Sequence, residues 1–380
     1  MKKFLLLCLL ALLPLSAALA EYDGWLLTAP DTGKSFAWKV NPLDARNAVV
    51  FANPLDLDQT AAHWTWYRDG RLIRDLPFFA RGNLAHLGGA QFALREDGGV
   101  TVVVSRPVEQ AAGGTRSYRF IAYDWTESGL QNPVEICAGA AQGLVVGSCL
   151  LACTQEGYRE LTLYRLNGET LWQCALPVSA AFRADGIYRL GDQAFLIFGR
   201  EADGAVSLLC VDRSAVRWQR PWDAAHYPGA LADGLGGFYQ VDDPNRGDYS
   251  PLTLYHYDEN GLLTGQKQLT GDRVVKRIDT AAWDAETGAC TFYGSAVANS
   301  RRVYTVFALT VDAAMNPLSL DVRALSTAYR DYGPKIYTAP DGAAWVFTSD
   351  MTGAHGYQFP ALVPFDALPP ATDNVGLQFR

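Results

Sequence analysis

The stretch from Tyr164 to Pro177, YRLNGETLWQCALP, returns in weaker form along the whole chain, and that recurrence limits the fold more than any other feature. Read alone, it is a β-hairpin. LTLYRL alternates apolar and polar residues, Asn167-Gly168 supplies two turn residues that tolerate positive φ, and TLWQCAL returns as the partner strand. The residues that take the place of Asn167 elsewhere are Asp69, Asp124, Asp212, Asp258, Asp312 and Asp366. The six intervals between Asp69 and Asp366 average about 50 residues, and a four-stranded propeller blade spans ~40 to 50 in common families.

Two more strand-like runs precede each hairpin, as GIYRLGD and QAFLIFGRE precede VSLLCVD and VRWQRPW. Seven such hairpins predict an all-β chain folded as a seven-bladed β-propeller of four-stranded antiparallel blades. Eight blades is the alternative count, and a flat sandwich is the competing architecture. The expected blade limits are 21–81, 82–138, 139–179, 180–224, 225–271, 272–326 and 327–380, one domain with no linker. A ring must tie its ends, because an open blade exposes a strand edge. Either Trp25 to Leu27 joins the last blade, or Gly376 to Phe379 supplies its final strand.

Residues 1–20 carry Lys2 and Lys3, an apolar run from Phe4 to Leu15, and Ser16-Ala17-Ala18-Leu19-Ala20, the pattern of a secretory signal peptide. An extracytoplasmic, secreted or cell-envelope location is therefore expected. Beyond that leader no segment is long and apolar enough to span a bilayer as a helix. The chain has 32 basic and 40 acidic side chains, a formal net charge of −8, which disfavours nucleic acid and anionic membrane as partners. A monomer is expected. Cys137, Cys149, Cys153, Cys174, Cys210 and Cys290 follow the leader, and either disulfides or buried free thiols fit them.

Chemistry-bearing residues are sparse. The loop DDPNRGDYSP gathers Asp242, Asp243 and Asp248, oxygen ligands of the kind a Ca²⁺ ion takes, against the plainer reading of a solvated turn. No other cofactor is expected. The same loop holds the Arg246-Gly247-Asp248 tripeptide. His226 and Tyr227 precede the inner strand of the fifth blade, and His355 and Tyr357 lie in a Gly-rich loop of the last, so these four are the candidate ligand contacts. His256 alternates within LTLYHY and reads as a strand-face residue. There is no H-x-x-x-H or H-E-x-x-H pair for zinc and no G-x-S-x-G for a nucleophile. Trp64, Trp66, Trp172, Trp218 and Trp222 read as packing between blades.

Asp31-Thr32-Gly33-Lys34 followed by Trp38, Leu166-Asn167-Gly168-Glu169 followed by Trp172, and Trp283-Asp284-Ala285-Glu286-Thr287-Gly288 resemble the D-x-x-T-G-x-x-x-W docking turn of quinoprotein-like propellers. The resemblance implies that the Gly permits a tight bend and the Trp packs flat between blades. Quinone-dependent dehydrogenases of that family carry an adjacent cysteine pair that this chain lacks, and its non-enzymatic members are assembly scaffolds. The expected function is a secreted propeller that binds a protein or glycan ligand through one face and performs no chemistry. The alternative is a glycan-active hydrolase or lyase with carboxylates at the channel mouth.

Overall fold

Runs rich in β-branched and aromatic residues become strands, and antiparallel pairing gathers them into four-stranded meanders. The computed structural model describes residues 25–26, 35–54, 61–78, 87, 89–108, 117–154, 159–179, 182–191, 194–201, 203–213, 215–222, 230–242, 250–271, 274–298, 303–325, 334–348, 351–352, 357–358, 361–372 and 376–380.

β1 (Trp25–Leu26) precedes the first unit, which is β2 (Ser35–Pro42), β3 (Asn47–Pro54), β4 (Ala62–Arg68) and β5 (Arg71–Phe78). The second is β6 (Gln91–Leu94), β7 (Val100–Pro107), β8 (Tyr118–Thr126) and the first part of β9 (Gly129–Val146). From Ala140 onward β9 pairs with β10 (Cys149–Thr154), opening a third unit completed by β11 (Glu160–Arg165) and β12 (Thr170–Ala175). β13 (Arg183–Arg189), β14 (Ala194–Arg200), β15 (Val206–Asp212) and β16 (Ala215–Trp222) form the fourth. The fifth is β17 (Ala230–Ala232), β18 (Phe238–Asp242), β19 (Leu252–Tyr257) and β20 (Leu263–Thr270). The sixth is β21 (Val274–Trp283), β22 (Cys290–Ala298), β23 (Val303–Val311) and β24 (Pro317–Ala324). β25 (Lys335–Thr338) and β26 (Ala344–Thr348) begin the last, the small hairpin of β27 (Met351–Thr352) and β28 (Tyr357–Gln358) interrupts it, and β29 (Ala361–Pro364) resumes it. β30 (Gln378–Phe379) follows.

The closing strand of the last unit comes from the other end of the chain. β1 pairs with β29, Trp25 opposite Leu362 and Leu26 opposite Ala361, so the first of the two expected closures holds. The second is corrected. β30 pairs with β20 as a fifth strand of the fifth unit, Leu269 opposite Phe379, and buried Leu377 seats beside it in the cluster that joins the fifth and sixth units. Counted among the described residues, with β9 shared, the pairings make seven four-stranded units.

Packing between the units gives a ring. Among the described residues the core is divided into seven apolar clusters, and each straddles two consecutive units. One joins Val40, Val50 and Tyr67 of the first unit to Trp345, Phe347 and Leu362 of the last, closing the circle. Along that circle β6 lies against β9, β9 against β13, and so on through β25, which lies against β2. The molecule is therefore an all-β propeller with the first strand of each unit innermost. Middle strands are covered on both faces, and β15 is buried at its first six positions. The outer β16 alternates exposed and half-buried residues.

The opening hairpin is the outer pair of the third unit. Only Gly168 is left-handed, at φ 88°; Asn167 instead accepts the Glu169 N–H on its side-chain oxygen, and the turn closes from Gly168 N–H to Arg165 O. Trp172 packs across to Phe195 of the fourth unit, ring centroids 6.3 Å apart, as the wedge reading expected. Asp69, Asp212, Asp258 and Asp312 also stand at third-to-fourth-strand turns. Asp124 does not. It lies inside β8, paired with Arg95, and the turn falls at Thr126 to Gly129. Asp366 sits in a 3-10 turn, Phe365–Ala367, after β29, because the fourth strand of that unit is β1.

Candidate functional site

Since the first strands are innermost, the turns from first to second strand of each unit ring one end of the channel. A cavity of about 1400 Å³ opens there, lined among others by Lys39, Gln91, Val145, Arg189 and Tyr337. A second, of about 600 Å³, is lined by Ala232, Trp283, Thr338 and Asp341. Pro42, Arg189 and Pro340 belong to both, so the two are parts of one mouth. All seven innermost strands contribute to it.

Cross-unit hydrogen bonds hold this rim. The Gln91 amide donates to Gly143 O at 3.0 Å and accepts from Val145 N–H at 2.7 Å, zipping the second unit to the third. Ala45 N–H donates to Asp341 Oδ2 at 2.7 Å, joining first and last units. Thr280 and Thr338 hydroxyls meet at 2.7 Å. Burial raises the Tyr337 phenol above its ordinary value, and the phenol's hydrogen bond to the Val40 backbone offsets part of that.

Trp283 is the exposed aromatic of the mouth, 43% accessible, and one face of its indole lies on Gly234. A Cβ at position 234 would stand 2.2 Å from the indole Cδ2, and φ there is 78°, so only glycine allows the contact. The turn carrying Gly234 is braced from inside. Buried Asp233 accepts the Leu235 and Gly237 N–H groups at 2.7 and 2.9 Å, and its other oxygen meets His256 Nε2 at 3.0 Å. His256 Nδ1 lies 2.8 Å from the Thr264 hydroxyl, and the ring stacks on Tyr239 at 4.5 Å. The Asp233–His256–Thr264 chain has the connectivity of a proton relay. Its carboxylate is committed to a turn and its imidazole is sandwiched in the core, so its work here is support. The same turn leaves Leu235 59% exposed, with Leu262 and Leu263 of the fifth unit also exposed.

Carboxylates at this end are engaged as turn caps. Asp69 beside Arg46, Asp97 beside Arg95, Asp258 under the Leu262 N–H, Asp284 beside the Thr287 hydroxyl and Asp312 beside Asn316 are all held below the usual carboxylate range by those hydrogen bonds. Asp279, on β21, is the opposite case. Burial raises its pKa, against the Arg277 hydrogen bond and ion pair at 2.5 Å and the Ile336 N–H at 3.0 Å.

The sign of that effect is testable. A carboxyl whose folded pKa lies above its unfolded one holds its proton more tightly when folded, so its contribution is complete below the unfolded range and is lost as pH rises through the raised value. Asp279→Asn, which keeps an acceptor for Ile336, should therefore gain stability relative to wild type as pH rises from about 4 through the raised value. Parallel denaturation profiles across that window would contradict the assignment.

The six cysteines after the leader are free. Burial lifts Cys153 and Cys290 to about 12, and Cys137 and Cys210 to about 11, so these thiols stay protonated and unreactive. His63, buried on β4, meets Asp75 at 2.9 Å. Trp64 and Trp66 are buried in the cluster between the first two units, and Trp218 and Trp222 pack between the fourth and fifth.

Of the residues singled out from sequence, Asp242 and Tyr357 are among the described ones. His226 and Tyr227 fall in 223–229, Asp243 and Asp248 in 243–249, and His355 in 353–356, all outside the described residues. Asp242 ends β18, half-buried opposite Thr253, and Tyr357 pairs with Thr352 in the inserted hairpin. The strand ends flanking these segments, Trp222, Ala230, Asp242 and Thr348, belong to fourth-to-first and second-to-third connections, at the end of the channel opposite the mouth. The fold thus does not bring Asp242 to the mouth. Among the described residues no group of three His, Cys, Asp or Glu side chains is placed to hold a metal ion.

Lys39, Arg189, Gly234 and Trp283 were not singled out as site residues. Trp283 was legible only as part of a docking-turn fragment. That fragment is a first-to-second-strand turn, in which Asp284 Oδ2 accepts from the Thr287 hydroxyl at 2.7 Å. The Leu166 to Trp172 fragment spans a third-to-fourth-strand turn, and Trp38 stands on β2. The three fragments therefore occupy different places in their units.

No protein-family model and no curated protein matches the chain. Among solved structures it is similar to one from a study of two prolyl endopeptidases and the role of their inter-domain dynamics, at TM-score 0.46 and 10% identity. That match covers 89% of this chain and 48% of the other, so the chain spans about half its length. It is also similar to the Dos1 propeller, at TM-score 0.41 and 10% identity, covering 91% and 96% of the two chains. A third is KlHsv2 with loop 6CD replaced by a Gly-Ser linker, at TM-score 0.37 and 9% identity, covering 85% and 96%.

Proposed function

We propose that this chain is an exported, seven-bladed β-propeller that binds a protein or glycan ligand at the channel mouth and performs no chemistry of its own. One observation carries the reading. At the mouth an exposed indole, seated on a glycine and flanked by exposed Leu235, opens onto the cavity, while the nearby turn carboxylates are tied into their own backbone. A glycan hydrolase or lyase would place there an acid with a raised pKa, able to give up its proton near neutrality. The turn carboxylates are shifted the other way, and Asp279, raised by burial, is held by Arg277 and the Ile336 N–H. Export rests on the leader pattern of residues 1–20, and quinoprotein-like kinship rests on the three docking-turn fragments at Asp31 to Trp38, Leu166 to Trp172 and Trp283 to Gly288. The test is a hydrogen-exchange map of the mature chain with and without the tightest binder from a combined glycan and peptide array.

A further inference from the structure

β30 is one strand more than the fifth unit needs. Among the described residues the other units are four strands deep, and the fifth already reaches four with β20. The added strand belongs to a segment that runs back against the order of the ring. After β29 the chain turns through Phe365–Ala367 and lies along the outer edge of β24, where Ala324 N–H donates to Pro369 O at 2.9 Å and Ala371 N–H to Val322 O at 2.8 Å. It then reaches the fifth unit. There Gln268 N–H donates to Arg380 O at 2.8 Å and Arg380 N–H to Gln268 O at 3.0 Å, while buried Leu377 and half-buried Phe379 plug the apolar seam between the fifth and sixth units.

This pairing uses only part of the edge. Phe379 and Gln378 face Leu269 and Thr270, and Arg380 faces Gln268. Antiparallel alternation turns the N–H and C=O of Gln266 to the same side as those of Gln268, and no described residue pairs with β20 there. Beside this free length runs a groove of about 400 Å³ between β24 and β30, walled by Leu309, Leu318, Leu320 and Phe379. Leu318 is exposed on its far side, and exposed Leu263 begins the free length of β20. An unpaired edge beside an apolar groove is a template for an incoming strand, which gains backbone hydrogen bonds along the edge and seats every second side chain in the groove.

We infer that the outer edge of β20 is a strand-addition site for an extended peptide segment of a partner protein, with 376–380 as its resting occupant. The resident strand displays the ligand chemistry: Leu377-Gln378-Phe379-Arg380 alternates apolar and polar side chains and runs antiparallel to β20. A partner strand of that pattern, continuing toward Leu263, pairs with Gln266 as well as Gln268 and lays a further apolar side chain over the groove. It must displace a tethered competitor held at high effective concentration, so the site selects strands longer than the resident one. This edge lies on the outer wall of the ring, and its use is independent of the channel mouth.

Fluorescence anisotropy of the full chain with labelled GLQFRVTVT, the sequence of 376–380 followed by alternating Val and Thr, tests the inference. The peptide should bind, and a scrambled peptide of the same composition should not. Leu377→Ala, which loosens the resident strand and leaves β20 intact, should tighten the peptide about threefold or more. Gln266→Pro, which removes an outward N–H and none that faces β19, should weaken it about fivefold or more. Trp283→Ala should leave it unchanged, so that failure here and failure of the mouth reading are separate results. Circular dichroism checks that each variant keeps its strands. Hydrogen exchange of the unsubstituted chain adds a second measurement: the Gln268 N–H, held by Arg380 O, should exchange about tenfold or more faster than amides within β15. Exchange at Gln268 as slow as in β15 would mean that 376–380 does not leave and would overturn the inference. So would equal binding of the scrambled peptide, no binding to the Leu377→Ala variant, binding indifferent to Gln266→Pro, or binding lost in Trp283→Ala.

Discussion

Trp64→Ala is expected to lower the free energy of unfolding by about 3–5 kcal/mol, the range for truncating a fully buried aromatic. Trp64 is 0% exposed between the first and second units. Its ring lies 4.7 Å from both Phe51 of its own unit and Phe92 of the next. Its Nε1–H donates to Leu87 O at 2.6 Å, fixing the passage between the two units. Alanine would remove the wedge, leave a cavity at the interface and take the indole donor from the Leu87 carbonyl, which keeps only the Ala90 N–H. Denaturant unfolding followed by near-ultraviolet dichroism reads the loss. A change below about 1 kcal/mol would mean that the interface is looser than described.

Asp233→Ala has the second large effect, and it reaches the site. The substitution frees the buried Gly237 N–H, the half-buried Leu235 N–H and the His256 ring at once, with an expected cost of about 3 kcal/mol. Because the Asp233 turn sets Gly234 beneath Trp283, ligand binding at the mouth should weaken together with stability. Asp75→Ala, which strips His63 of its partner on the far side of the ring, should lower stability without touching binding. If the two variants affected binding equally, the support assigned to Asp233 would be wrong.

These two residues also mark how far the sequence could be read. Trp64 and Trp172 announce themselves as packing residues, because large aromatics on alternating strands beside a repeated turn have few other uses. Turn positions were legible wherever an Asp or Asn caps its own loop, as at Asp258 and Asp312. They failed at Asp124, whose carboxylate serves Arg95 and Asn132 inside a strand, and at Asp366, whose unit borrows its outer strand from the other end of the chain.

The site was harder to read, for a physical reason. Trp283 and Gly234 lie on different units, and nothing in either local sequence reports that one covers the other. Asp233 reads as one more turn acid until its second oxygen is seen against His256. The sequence singles out His, Asp and Gly in 223–229, 243–249 and 353–356, outside the described residues, and beside them Asp242 ends β18 at the other end of the channel.

The choice between the two ends is therefore the most direct question to put to the protein. Hydrogen exchange of the mature chain, with and without the tightest array ligand, answers it. Protection should concentrate in 39–47, 232–238, 281–289 and 337–343, the segments around the mouth, and Trp283→Ala should abolish it. Protection confined to 223–229, 243–249 and 349–360, with the mouth segments unchanged, would contradict the account.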